Sequence, residues 1–95
     1  MMNKNSIVKL TKELNITDLS GEKVMVDFES GKYFLMKGSS NDIWDILTEA
    51  KDGISIENIV IRLREIYEVS EQECLNSVLS FLSQLQNLNF ISCEE

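Results

Sequence analysis

Histidine is absent from this 95-residue chain, so the side chains left to do chemistry are carboxylates, serines and two cysteines. Asp42, Asp45 and Glu49 stand at i, i+3 and i+7, a spacing that lines three carboxylates along one helical ridge. Such a ridge could coordinate a cation, but a solvated acidic face satisfies the same pattern. Cys74 and Cys93 are 19 positions apart and form no Cys-x-x-Cys pair, which is not the spacing of a zinc site. Cys74 sits inside an apolar stripe, where a thiol behaves as an inert small hydrophobe. A disulfide is not expected in a reducing compartment. The serines fall at helix starts and on polar faces, with no base to activate them. The chain is expected to hold no catalytic residue, no metal and no cofactor.

Charge narrows the partners. Sixteen Asp and Glu face nine Lys and Arg, and the net of -7 divides into about -2 over residues 1–50 and -5 over 51–95. An acidic surface repels phosphate backbones and anionic lipid, and favours neutral or basic partners. No apolar run approaches the roughly 20 residues a membrane helix needs. The start, Met1-Met2-Asn3-Lys4-Asn5-Ser6, lacks the apolar core of a signal peptide, so a cytoplasmic location is expected. Neither nucleic acid nor membrane is an expected partner.

The elements that would position these groups can be read from periodicity and caps. A first strand is expected over about 7–14, with Val8, Leu10 and Leu14 on one face, followed by a turn-rich connector over 15–21. Val24, Val26 and Phe28 alternate with Lys23, Met25 and Asp27, the period-2 signal of a half-buried strand over 22–28. Glu29-Ser30-Gly31 supplies a three-residue hairpin loop with Gly at the left-handed position. A second hairpin strand follows over 32–37, apolar on both faces. Tyr33 and Leu35 point one way and Phe34 and Met36 the other; which pair is core stays open.

Ser39 or Ser40 caps a helix over about 41–50, on which Ile43, Ile46, Leu47 and Ala50 share a face with Trp44 as core anchor. Gly53 suits the C-terminal cap of that helix. Ser55 caps the next, over about 56–67, where Ile56, Ile59, Val60, Leu63, Ile66 and Tyr67 recur at helical spacing. Ser70 and Glu73 form a capping box for a third helix over 71–86. Asn87-Leu88-Asn89 breaks it, leaving Phe90-Ile91 as an apolar tail to close the core. The expected fold is therefore α+β and winged helix-turn-helix-like: a three-stranded antiparallel sheet followed by three helices in a single domain, 1–95.

That layout suggests DNA, but the third helix, EQECLNSVLSFLSQLQ, has no Lys or Arg with which to meet a polyanion. Its apolar residues exceed one stripe. Leu75, Val78, Leu82 and Leu85 suffice for the core, leaving Cys74, Leu79 and Phe81 on flanking positions. These extra residues are either a wide buried stripe or one wall of a groove. The strand Lys32–Met36 is the other candidate wall, blunted only by Lys32 and Lys37, and an apolar edge so little protected is a template for an added strand.

The residues Gly21-Glu22, Val24, Asp27, Glu29-Ser30-Gly31-Lys32-Tyr33-Phe34, Leu35, Asn41, Ile43-Trp44 and Leu47 carry a resemblance to the PqqD-like family (pyrroloquinoline quinone biosynthesis protein D). The family's members are recognition elements for ribosomally made, post-translationally modified peptides. The likeness extends over about Ile7 to Ile91. One departure is Leu35, where the family often has a small residue, so any pocket at this strand is reshaped. The resemblance implies a non-catalytic module. It would bind the leader segment of a precursor peptide between the third strand and the third helix, and deliver it to a modifying enzyme. Lys32, Tyr33, Phe34, Leu35, Met36, Cys74, Val78, Leu79 and Leu82 are the peptide-binding residues it implies. The enzyme, a radical SAM enzyme, peptidase or cyclase, is expected to act in trans, as in pyrroloquinoline quinone, lasso-peptide and radical-modified cysteine-rich peptide pathways. The alternative is a helix-turn-helix transcriptional regulator or adaptor.

Overall fold

Strand alternation and cap chemistry give nine elements over residues 2–11, 15–19, 22–36 and 38–94, which are those the computed structural model describes. In chain order they are β1 (Ile7–Leu10), β2 (Asn15–Leu19), β3 (Glu22–Asp27), β4 (Lys32–Met36), α1 (Ser39–Glu49), β5 (Ile54–Ser55), α2 (Ile56–Arg64), α3 (Glu71–Asn87) and β6 (Ile91–Glu94). The fold is α+β, as expected, but it has two three-stranded antiparallel sheets rather than one, in the orders β5-β1-β6 and β2-β3-β4.

The first sheet joins the two ends of the chain. β1 sits in the middle, with Ile7 opposite Ser55 on one side and Glu94 on the other, and Leu10 opposite Ile91. The segment before β1 also completes α2: Ile56 and Glu57 donate their N–H groups to the carbonyls of Ser6 and Lys4 at 3.0 and 2.9 Å. Those are two of the donors that a helix start leaves without an intrahelical acceptor. The first strand is thus shorter than the 7–14 expected, and residues 12–14 lie outside the described ones. The C-terminal residues are more than an apolar tail. Phe90 and Ile91 enter the core, and the chain continues as β6.

The second sheet contains the hairpin. Residues 15–19, expected as a connector, form β2 and pair with β3 from Asn15 opposite Val26 to Leu19 opposite Glu22. β3 pairs in turn with β4, Met25 opposite Phe34 and Asp27 opposite Lys32. That register leaves Phe28 to Gly31 as a four-residue loop, one longer than expected. Gly31 has φ 73°, and its N–H donates to the Asp27 carbonyl at 2.9 Å.

The inward face of β3 is the reverse of the expected one. Met25 and Asp27 are buried, while Val24 and Val26 are half-buried and Phe28 is 75% exposed. Asp27 is inside because its carboxylate organises the loop, accepting from the Ser30 hydroxyl at 2.8 Å and from the Glu29 N–H at 3.2 Å. Burying a carboxylate requires such hydrogen bonds, and with them it becomes a turn anchor.

The helices follow their sequence signals closely. Ser55 and Ser70 cap α2 and α3, accepting from the N–H groups of Asn58 and Glu73 at 3.1 Å each. At α1 the N-cap is Gly38, with φ 63° and no side-chain bond, so Ser39 and Ser40 fall inside the helix. The C-cap of that helix is Ala50 and not Gly53. α2 stops at Arg64, three residues early, and Ile66 is 61% exposed rather than core. Between α1, α2, α3 and the sheets lies one cluster of buried side chains, with Trp44, Leu63, Val78, Leu82, Leu85 and Phe90 among its members.

Candidate functional site

β4 has a partner along one edge only among the described residues, since it ends the order β2-β3-β4. Every second residue of an antiparallel edge strand turns its N–H and C=O away from its neighbour, and over five residues this exposes a ladder about 16 Å long. The side chains divide as the period demands. Met36 is fully buried and Phe34 half-buried, whereas Tyr33 and Leu35 are 74% and 46% exposed. Phe34 and Met36 are therefore the core pair. Lys32 is the one charged residue within the strand.

The wall beside this edge is α3. The Phe34 ring meets that of Phe81 with centroids 5.7 Å apart and planes tilted by 59°. Contacts of this kind add to the burial of area and fix how strand and helix are spaced. One and two turns before Phe81, Ser77 and Cys74 line a cavity with Glu73, Ser39, Leu63, Tyr67 and Val69. Ser39, the first residue of α1, follows β4 by three residues. The Tyr67 hydroxyl donates to an Asp42 carboxylate oxygen, tying the chain after α2 to the first turn of α1. That hydrogen bond, with burial and the Asp42 charge behind it, holds the Tyr67 hydroxyl above its ordinary value of 10.0.

Not all the residues expected at the site can meet a ligand there. Lys32, Tyr33 and Leu35 are exposed on β4, and Phe34 is partly so. Met36, Val78 and Leu82 have no exposed surface, and Cys74 is only 5% exposed; they support the groove from beneath. Burial pushes the Cys74 thiol up, with Arg64 pulling it the other way. Leu79 is two residues from Phe81, which places it about 200° around the helix from the β4 side. It shares a flank with Leu75, which lines a separate cleft with Lys4, Val60 and Ile61. Leu79 is thus on the flank of α3 away from Phe34. The residue that does face the strand, Phe81, appeared in the sequence as one surplus apolar position among three. Its offset toward Cys74 and Ser77 was the available signal.

The acidic ridge on α1 is not a shared cation site. Asp45 pairs with Lys23 at 2.7 Å, Glu49 with Arg62 at 2.9 Å, and Asp42 with Tyr67, so each carboxylate turns to a different element. Among the described residues no group of three or more Cys, Asp or Glu is placed to hold a metal ion. Nor is any described helix long and apolar enough to cross a membrane.

No curated protein matches the chain. Among solved structures, one described as "TbiB1 in Complex with the TbiA(beta) Leader Peptide" is similar with a TM-score of 0.76 at 24% identity, covering 88% of this chain and 94% of that one. At that identity the likeness is one of fold. The family model described as Coenzyme PQQ synthesis protein D (PqqD) matches residues 22–91, which take in the hairpin, all three helices and the start of β6. The chain belongs to the PqqD family.

Proposed function

We propose that this protein captures the leader segment of a ribosomally synthesised precursor peptide and hands it to a modifying enzyme of natural-product biosynthesis. The observation that carries this reading is the open apolar edge of β4 beside α3 in a PqqD-family chain. Support comes from the similar fold of TbiB1, which is described in complex with a leader peptide. The leader adds as a strand to β4, so backbone pairing supplies affinity with little demand on sequence. Alternate leader side chains turn toward the Phe34–Phe81 contact and the cavity beyond it, and these give selectivity.

In this reading the protein supplies no catalysis of its own. It has no His, its α1 carboxylates are each engaged separately, and Cys74 is buried. The chemistry belongs to a radical SAM enzyme, a peptidase or a cyclase acting in trans. A DNA-reading role is disfavoured because α3 presents no cation and opens with Glu71 and Glu73.

A calorimetric titration with the leader half of its cognate precursor peptide tests the proposal. Saturable micromolar or tighter binding is expected, with no salt-sensitive binding to a duplex DNA control. Binding of the DNA and not of the leader would reverse the assignment.

A further inference from the structure

A cavity of about 290 Å³ is lined by Ser39 of α1, Leu63 of α2, Tyr67, Val69, and Glu73, Cys74 and Ser77 of α3. Ser39 stands three residues after β4, and Ser77 one turn before Phe81, whose ring meets Phe34 of that strand. The base of the cavity is apolar: Leu63 and Cys74 are buried, and Val69 and the Tyr67 ring close the side. The polar groups around it are acceptors or hydroxyls. Glu73 carries a carboxylate, Ser39 and Ser77 carry hydroxyls, and the Tyr67 hydroxyl is already donated to Asp42. The neighbouring cation, Arg64, donates its Nε to the Val69 carbonyl at 3.2 Å and lines the other cleft.

A cavity with an apolar base and the Glu73 carboxylate in its lining suits one type of side chain: a long aliphatic stem with a positive head. A guanidinium can also lie on the Tyr67 ring, whereas an acidic side chain would meet Glu73 and Asp42 in repulsion. We propose that this cavity takes an arginine, or more weakly a lysine, from the leader residue flanking the strand-paired segment. The inference rests on the leader-binding reading. It adds to it a cationic anchor position, for which the net charge of -7 provides long-range attraction.

The probe is a single residue, so the cavity can be tested without strand pairing. Nα-acetyl-arginine amide, its norleucine counterpart and its tyrosine counterpart are titrated separately into ¹⁵N-labelled protein. The arginine probe is expected to shift the amides of Val69, Glu73, Cys74 and Ser77 saturably in the millimolar range, and to bind more tightly than the other two. Glu73→Gln should weaken it about threefold to fivefold, the scale of a partly exposed ion pair. Ser77→Phe, at an exposed rim position, should fill the cavity and remove the shifts while circular dichroism stays native.

The proposal is overturned if the norleucine or tyrosine probe binds as well, if Glu73→Gln is indifferent, or if no probe shifts these amides. Strand addition is read apart from this, from the amides of residues 32–36 when a leader peptide is added. Loss of one signal with the other intact shows which of the two ideas has failed.

Discussion

The two sheets of this protein have the same strand count and the opposite use of their edges. In β5-β1-β6 the outer strands are kept from further pairing: β5 is two residues long and runs directly into α2, and β6 alternates Ile91 and Cys93 with exposed Ser92 and Glu94. Short and polar edges of this kind resist accidental association. In β2-β3-β4 the last strand presents Tyr33, Phe34 and Leu35 in succession and has no partner along its other edge among the described residues. The first sheet ties the chain ends to the helices; the second leaves a template exposed. If the leader pairs with β4 as proposed, stability and binding fall on different sheets, and variants can separate them.

The largest effect should come from the first sheet and fall on stability alone. Phe90, fully buried just before β6, is expected to cost about 3–5 kcal/mol on replacement by Ala. A chemical denaturation curve should show that loss, while the remaining folded protein binds leader as before. Reduced affinity of the folded fraction would erase the separation.

The second effect belongs to the open edge. Successive residues of β4 direct their N–H groups to opposite sides, so of Phe34→Pro and Leu35→Pro one spares the β3 ladder and removes an edge donor. That variant should fold and lose more than about tenfold in leader affinity, roughly 1.4 kcal/mol. Side-chain truncation to Ala at Tyr33 should cost less, because the pairing is mostly backbone.

A smaller difference tests the two flanks of α3. The surplus of apolar positions made Leu79 an expected groove residue, for which Leu79→Glu would cost more than tenfold in binding. With Leu79 on the flank away from Phe34, the structure instead predicts that folded Leu79→Glu binds leader within about twofold of wild type. A tenfold loss would return the groove to that side.

The smallest expectation concerns the thiols. Cys93, half-buried on β6, should alkylate before Cys74 in the native protein. Because burial raises the Cys74 thiol above its ordinary value of 9.0, the fold holds the proton more tightly than the unfolded chain does. The associated stability is present below that value and is lost as pH rises past it. Mass spectrometry of the labelled protein, with melting followed from pH 7 upward, checks both statements; Cys74 labelling first would contradict them.

What could be read in the sequence was mostly local. Ser55 and Ser70 announced their helices through side-chain caps, and the run from Lys23 to Met36 announced a hairpin through alternation and Gly31. The face of that hairpin was misread because Asp27, a charged residue, goes inside to anchor the loop while Phe28 stays out. The sheet β5-β1-β6 could not be seen locally. Pairing Ile7 with Glu94 spans nearly the whole chain, and β5 is too short to leave a periodic signal. At the site, β4 followed from composition and the resemblance. The groove side of α3 did not, since an apolar surplus reveals only that a helix is wide, and the Phe34–Phe81 contact is needed to orient it.

The proposed function requires a leader peptide to pair with the outer edge of β4. Amide hydrogen exchange with and without the peptide tests it most directly, because added strand pairing protects outward-facing N–H groups. The account predicts new protection at alternate residues within Lys32–Met36, little change in β1, β5 and β6, and none on the outer edge of β2. Protection gained along β2 or β6 with β4 unchanged would contradict it.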